Sequence, residues 1–173
     1  MTALIRDSRD SDVPAIHAIY SPYVVKGFAT FEETAPTIDE LRNRRDTLRA
    51  MLMPHLVAEL DGRVVGYCYA GPYRARPAYR FTVENSVYLA EGFGGRGIGT
   101  RLMTALIACC ETGPWRQMVA VIGDSANAAS IALHRRLGFQ HVGTLEAVGF
   151  KLGRWVDTVL MQRALGVGRT TPG

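Results

Sequence analysis

At 173 residues, with 47% hydrophobic and 21% charged residues, the chain fits one globular domain with a single core, and its composition excludes a disordered chain or a disulfide scaffold. A net charge of +4 and a pI near 9.2 favour an acidic ligand through the long-range field. The arginines form no basic tract interleaved with aromatics, so no nucleic-acid partner is expected. The start MTALIRDSRDSD lacks the apolar run of a signal peptide and no later stretch could span a bilayer, so no membrane partner is expected and a cytoplasmic location is.

Ile5 begins a short strand, and Val13, Ile16, Ile19 and Tyr20 have helical spacing over residues 11 to 25. Ser21-Pro22 interrupts it, which predicts one broken helix or two short ones. Thr37, with Glu40 three residues on, is a capping box opening a polar, arginine-rich helix to about Met51. Leu56 to Leu60 and Val64 to Ala70 flank Asp61-Gly62, which supplies the positive φ angles of a tight hairpin. Next come a strand from Val83 to Leu89, a helix from Gly97 to Glu111, a buried strand from Met118 to Ile122 and a helix from Asn127 to Leu137. Strands around His141 to Lys151 and Val156 to Gln162, joined at Gly153, complete a domain over residues 1 to 165, and the tail GVGRTTPG (166–173) is expected to be flexible. The order predicts an α/β fold on one largely antiparallel sheet containing a parallel pair. Cys68, Cys109 and Cys110 have no metal-ligand spacing and read as small core residues, and no metal site is expected.

The densest chemical signal is Gly92-Phe-Gly-Gly-Arg-Gly-Ile-Gly-Thr100, between a strand and an amphipathic helix. Glycines let the backbone turn sharply and approach a ligand, and the unpaired N–H groups of the first helical turn attract an anion such as a pyrophosphate. Gly92-x-Gly94-x-x-Gly97 fits a dinucleotide fingerprint, whereas Gly97-x-Gly99 in the later register fits the pyrophosphate loop of acetyl-CoA enzymes. Most strands precede the loop and Asp124 lies too far beyond it, which disfavours the dinucleotide fold. On the next helix, Asn127, Ser130 and His134 share a stripe of roughly 60°. They read as a ligand wall, or individually as a helix cap and a hydrogen-bonded core histidine.

Together the glycine loop, the strand MVAVIG and the helix N-x-x-S-x-x-L-H-R-R-L-G-F resemble the GNAT N-acetyltransferase superfamily across nearly the whole chain. The stretches GYCYAGPYRARPAYRFTVENSVYL and VGFKLGRWVDTVLMQ resemble the phosphinothricin, methionine sulfone and methionine sulfoximine acetyltransferases. This resemblance implies acetyl-CoA as co-substrate, a small amino-acid-like acceptor and a homodimer. It implies that Val87, Tyr88 and Leu89 pair their backbone with the pantetheine arm, which adds like an extra strand. Gly95, Arg96, Gly97, Ile98, Gly99 and Thr100 would hold the pyrophosphate, and Asn127 and Ser130 would contact the cofactor. At the first loop position, commonly Arg or Gln, stands Gly94. Arg76 and Tyr79 match the acceptor-binding region, with Arg80 and Lys151 as helpers in gripping an acidic group.

Acetyl transfer to an amine needs a neutral nucleophile, a stabilised oxyanion and a departing thiolate. Glu84 is the expected base, directly or through water. A backbone N–H near Tyr88 or Leu89 is expected to polarise the thioester carbonyl, and His134 to protonate the sulfur. The rival expectations are a non-catalytic acetyl-CoA sensor, or an enzyme acting on peptide N-termini or aminoglycosides.

Overall fold

The computed structural model describes residues 2–170. Its seven strands are β1 (Leu4–Asp7), β2 (His55–Leu60), β3 (Arg63–Pro72), β4 (Thr82–Leu89), β5 (Gln117–Gly123), β6 (Gln140–Lys151) and β7 (Arg154–Ala164). They form one sheet in the order β1-β2-β3-β4-β5-β7-β6, in which β4 and β5 alone run parallel. Helices α1 (Val13–Lys26) and α2 (Ile38–Ala50) cover one face; α3 (Ile98–Glu111) packs on the other, which α4 (Ala128–Arg136) flanks.

Local chemistry sets several boundaries. Glu40 N donates to Thr37 Oγ1 at 3.2 Å and Thr37 N donates back to Glu40 Oε2 at 2.6 Å, so the capping box starts α2. Asp61 (φ 50°) and Gly62 (φ 73°) make the β2–β3 turn. The expected break in α1 does not occur. Its apolar side, Ile16, Ile19, Tyr20 and Val24, is buried against the sheet, while Pro22 and Ala18 lie on the exposed side. There the Ala18 carbonyl that Pro22 cannot bond can face water, and packing carries the helix through.

The sheet separates two apolar layers. Leu102, Met103, Leu106 and Cys110 of α3 pack on Ala58, Cys68, Val83, Met118 and Ala120; α1 packs on Val57, Tyr67 and Tyr88 from the other side. Cys109, expected in the core, is exposed, because the 100° step from Cys110 turns it outward. Leu165 is buried, and turns follow it, with Gly168 N donating to Leu165 O at 2.9 Å. Of the expected flexible tail, residues 171–173 lie outside the described residues.

The parallel pairing of β4 and β5 is short. It joins Thr82–Asn85 to Gln117–Ala120, after which β4 stays with β3 as far as Leu89 and β5 stays with β7 as far as Gly123. The two strands therefore fork beyond Asn85, leaving unpaired backbone groups in the middle of the sheet.

His55 opens β2 beneath α1 and α2, stacked on Tyr69 at 5.5 Å and Tyr67 at 5.9 Å, and its Nδ1 has no partner. Burial, helped by the Arg45 charge, pulls its pKa from 6.5 down to about 4. Between those values the unfolded chain binds a proton that the folded one refuses, so stability present above pH 6.5 is lost as pH falls towards 4. Urea titrations of the native chain and His55→Phe over that window are expected to diverge by up to about 3 kcal/mol, with the variant less sensitive to acid.

Candidate active site

The fork opens into a cleft of about 630 Å³ that runs between α3 and α4. Four chain segments build it: β4 from Asn85 onward, the glycine loop, the end of β5 and the inner face of α4. Tyr23 and Ala29 close it from the α1 side.

In the loop, Gly92, Gly95 and Gly97 have φ of 80°, 73° and 76°, the left-handed region that side chains resist. Gly97 is the N-cap of α3, and no side chain caps that helix end. The first-turn N–H groups are thus left for a ligand with negative charge, and Gly95, Gly97, Gly99 and Thr100 line the cleft. Ile98 instead buries its side chain in the core, leaving only its backbone for a ligand. The Arg96 guanidinium lies over the Phe93 ring at 5.0 Å, outside the lining.

On β4, Tyr73 N donates to Thr82 O and Ala90 N donates to Val65 O, so the even-numbered residues turn their backbone groups to β3. The Tyr88 N–H is therefore engaged in the ladder with β3, which corrects its expected role as a backbone donor to the acyl arm. Val87 and Leu89 face the fork. Tyr23 Oη donates to Leu89 O at 2.8 Å and lies 3.4 Å from Leu89 N.

Helix α4 presents Asn127, Ser130 and His134 to the same cleft. Asn127 also caps the helix, its Oδ1 accepting from Ser130 N at 3.2 Å. His134, 2% exposed, lies with Nδ1 2.8 Å from Ser130 O and Nε2 2.9 Å from Asn85 Oδ1. Burial lowers its proton affinity, and the Ser130 carbonyl opposes that shift.

Strand alternation turns Glu84 to the opposite face from Asn85, level with Val119 just below the fork. It is half-buried and does not line the cleft itself, but Ser86, two positions on and facing the same way, does. Burial pushes the Glu84 carboxyl above the usual range, and the Arg74 charge moderates the rise. Arg74 went unnoticed in the sequence, as did Tyr23, Asn85 and Ser86. Asn85 had a readable signal, since alternation with Glu84 sends it to the side of the polar stripe.

The loop before β4 is exposed. Tyr79 stands edge-on to Tyr73 at 5.6 Å, Arg76 precedes a single 3-10 turn, and Arg80 lies over Phe81 at 4.4 Å while donating to Pro77 O. Lys151, expected to grip substrate, is instead 2% exposed and donates from Nζ to Thr30 O at 2.6 Å and Tyr23 O at 3.3 Å. It ties the end of α1 to the following loop, whose Phe28 carbonyl would lie 2.1 Å from a Cβ at position 123, a contact that glycine alone allows.

Residues 5–160 match the family model described as Acetyltransferase (GNAT) domain. The chain belongs to the GNAT acetyltransferase family. It is 53% identical over 167 residues to a phosphinothricin N-acetyltransferase of Alcaligenes faecalis, covering 96% of this chain and 85% of that one. It is 41% identical over 173 residues to an L-methionine sulfoximine/L-methionine sulfone acetyltransferase of Pseudomonas aeruginosa, covering 99% and 100%. Its fold superposes with TM-score 0.96 and 46% identity on a phosphinothricin acetyltransferase from Sinorhizobium meliloti in complex with AcCoA, covering 99% of this chain and 93% of that one. As a GNAT enzyme the chain takes acetyl-CoA as co-substrate. The uncapped α3 terminus suits its pyrophosphate, and the free edge of β4 at Val87 suits its amide-bearing arm.

Lys151→Met leaves two carbonyls without their donor, and a loss of about 2 kcal/mol in unfolding free energy is expected by urea denaturation. Amide exchange in residues 27 to 36 is expected to accelerate, whereas a substrate-gripping lysine would leave exchange unchanged and raise only the acceptor KM.

Proposed function

We propose that the chain acetylates the α-amino group of a small amino-acid-like acceptor such as phosphinothricin, methionine sulfone or methionine sulfoximine, by direct attack of the amine on the acetyl-CoA thioester. The observation that carries this reading is the fork, with a half-buried carboxylate on one face and the glycine-loop cleft opening on the other. The names of the relatives support the acceptor class.

An α-amino group has a pKa near 7.7 to 8.0, so at neutral pH most of it is protonated and a base is needed. Glu84, raised by burial, takes that proton directly or through water. The Val87 N–H, turned to the fork, polarises the thioester carbonyl as the oxyanion forms, with Leu89, whose N–H is shared with Tyr23 Oη, as the next donor along the strand. His134 then protonates the departing thiolate. A thiol of pKa near 8.5 leaves fairly well unaided, so His134 contributes less than Glu84. Arg76 and Tyr79 border the acceptor from the exposed loop, and Arg74 adds positive charge near the carboxylate. We place the enzyme in the cytoplasm, with its three cysteines free.

The same reading includes a homodimer. Beyond the resemblance, the edge strand β6 and the start of β7 expose Val142, Leu145, Val148, Phe150 and Trp155, an apolar row that isolated soluble domains rarely leave uncovered. Sedimentation is expected to give twice the chain mass, and Phe150→Glu with Trp155→Glu to give the single chain.

Thiol release across a panel of amino acids and their phosphinate, sulfone and sulfoximine analogues tests the acceptor class; silence on all of them would defeat it. Glu84→Gln is expected to lower kcat about 10²- to 10⁴-fold. In the native enzyme kcat/KM falls as pH drops through the raised Glu84 pKa, and in the variant only the limb of the substrate amine remains.

A further inference from the structure

The ring of His134 sits between two oxygen atoms. The Asn85 amide is fixed in orientation because its Nδ2 donates to Val119 O at 3.1 Å, which leaves Oδ1 facing His134 Nε2 at 2.9 Å. An amide oxygen accepts and does not donate, so this contact calls for a proton on Nε2. On the other side the Ser130 carbonyl, 2.8 Å from Nδ1, calls for a proton there as well. A neutral imidazole has one proton and meets only one of these demands. The Ser130 hydroxyl, 3.4 Å from Nδ1, is the sole alternative donor among the described residues.

No charge on neighbouring elements supplies another reason for the ring to hold two protons. Towards α3, strands β5 and β7 present Met118, Ala120, Ile122, Val159 and Met161, all apolar, and Phe139 meets the ring edge at 5.0 Å. Along β4, Glu84 faces away from Asn85, and on α4 Arg135 and Arg136 are exposed.

We propose that Asn85 is a positioning residue that, with the Ser130 carbonyl, makes a two-acceptor cradle holding His134 in its doubly protonated form. This deepens the reading of His134 as the acid and rests on it for its catalytic consequence. When the thioester C–S bond breaks, the proton on Nε2 passes to the thiolate sulfur, giving the free thiol. The ring is left neutral with its remaining proton on Nδ1 and its bond to Ser130 O intact. The Nε2 lone pair then faces the Asn85 oxygen, an unfavourable contact that a proton from solvent relieves, resetting the ring for the next turnover. Asn85 thus supports protonation at a place where burial alone opposes it.

The test compares Asn85→Leu, Asn85→Ser and Asn85→Asp by titrating His134 in 15N-histidine-labelled enzyme, its signal assigned with His134→Gln. Leucine offers no acceptor, and a serine hydroxyl can turn to donate, so both are expected to lower the His134 pKa, by about one unit. The aspartate carboxylate is expected to raise it. Should that buried charge prevent folding, the leucine and serine variants decide alone, with folding checked by circular dichroism. An unchanged His134 pKa in both would overturn the proposal. The alkaline limb of kcat, where the acid loses its proton, is expected to move in the same directions. Ring titrations that shift while the limb stays fixed would support the cradle and show that His134 is not the proton donor, so the two readings fail separately.

Discussion

The structure depends on the point at which β4 and β5 stop pairing. A parallel pair in the middle of a sheet normally satisfies both strands, and releasing it after Asn85 leaves backbone donors and acceptors facing a gap. Such groups are costly unless something meets them. Tyr23, reaching from α1 to the Leu89 carbonyl at 2.8 Å, meets part of the demand, and the rest makes the edge receptive to an amide-bearing ligand. The opening persists because each strand keeps its outer partner, β3 for β4 and β7 for β5, so the sheet is held from both sides while parted at its centre.

This arrangement explains why the site draws on such distant parts of the chain. The fork exposes both faces of the sheet at once. The glycine loop and α4 serve one face, while Glu84, Ser86 and the loop after α1 serve the other. Lys151 and Gly123 bring that loop in, the first by binding Thr30 O at 2.6 Å, the second by having no side chain against Phe28. A residue that looked chemical in the sequence is thereby structural, and one that looked like a strand terminus is what permits the close approach.

What was legible in the sequence was local. The capping box of Thr37 and Glu40, the Asp61-Gly62 turn, the glycine loop and the polar stripe of α4 each depend on residues a few positions apart, and the structure places all of them at their expected elements. Strand alternation was legible too, although it was not used to separate the roles of Tyr88 and Leu89. What remained hidden was joined across the chain. Tyr23 meets Leu89 66 positions away, Asn85 meets His134 49 away and Lys151 meets Thr30 121 away. No periodicity carries such pairings. Pro22 shows the same principle from the other side, since a local breaker yields when its freed carbonyl lies at the surface and the opposite side of the helix is buried.

Proton management follows from burial acting on two groups of opposite charge type. A carboxylate taken out of water holds its proton more tightly, and an imidazolium releases its proton more readily. Glu84 is pushed up and His134 down, which in the reaction proposed above makes the base stronger and the acid stronger within one short stretch of the fold. For the base the change is simply useful. For the acid it is double-edged, because a stronger acid is also protonated less of the time at neutral pH. In the cradle proposed above, two oxygens aimed at the ring nitrogens answer that difficulty without a second buried charge beside the ring: they favour the protonated form while leaving the ring a willing donor. In the proposed reaction, with Glu84 on one face and His134 on the other, a proton leaving the amine and a proton reaching the sulfur need not cross paths, and the sheet itself keeps acid and base from neutralising each other.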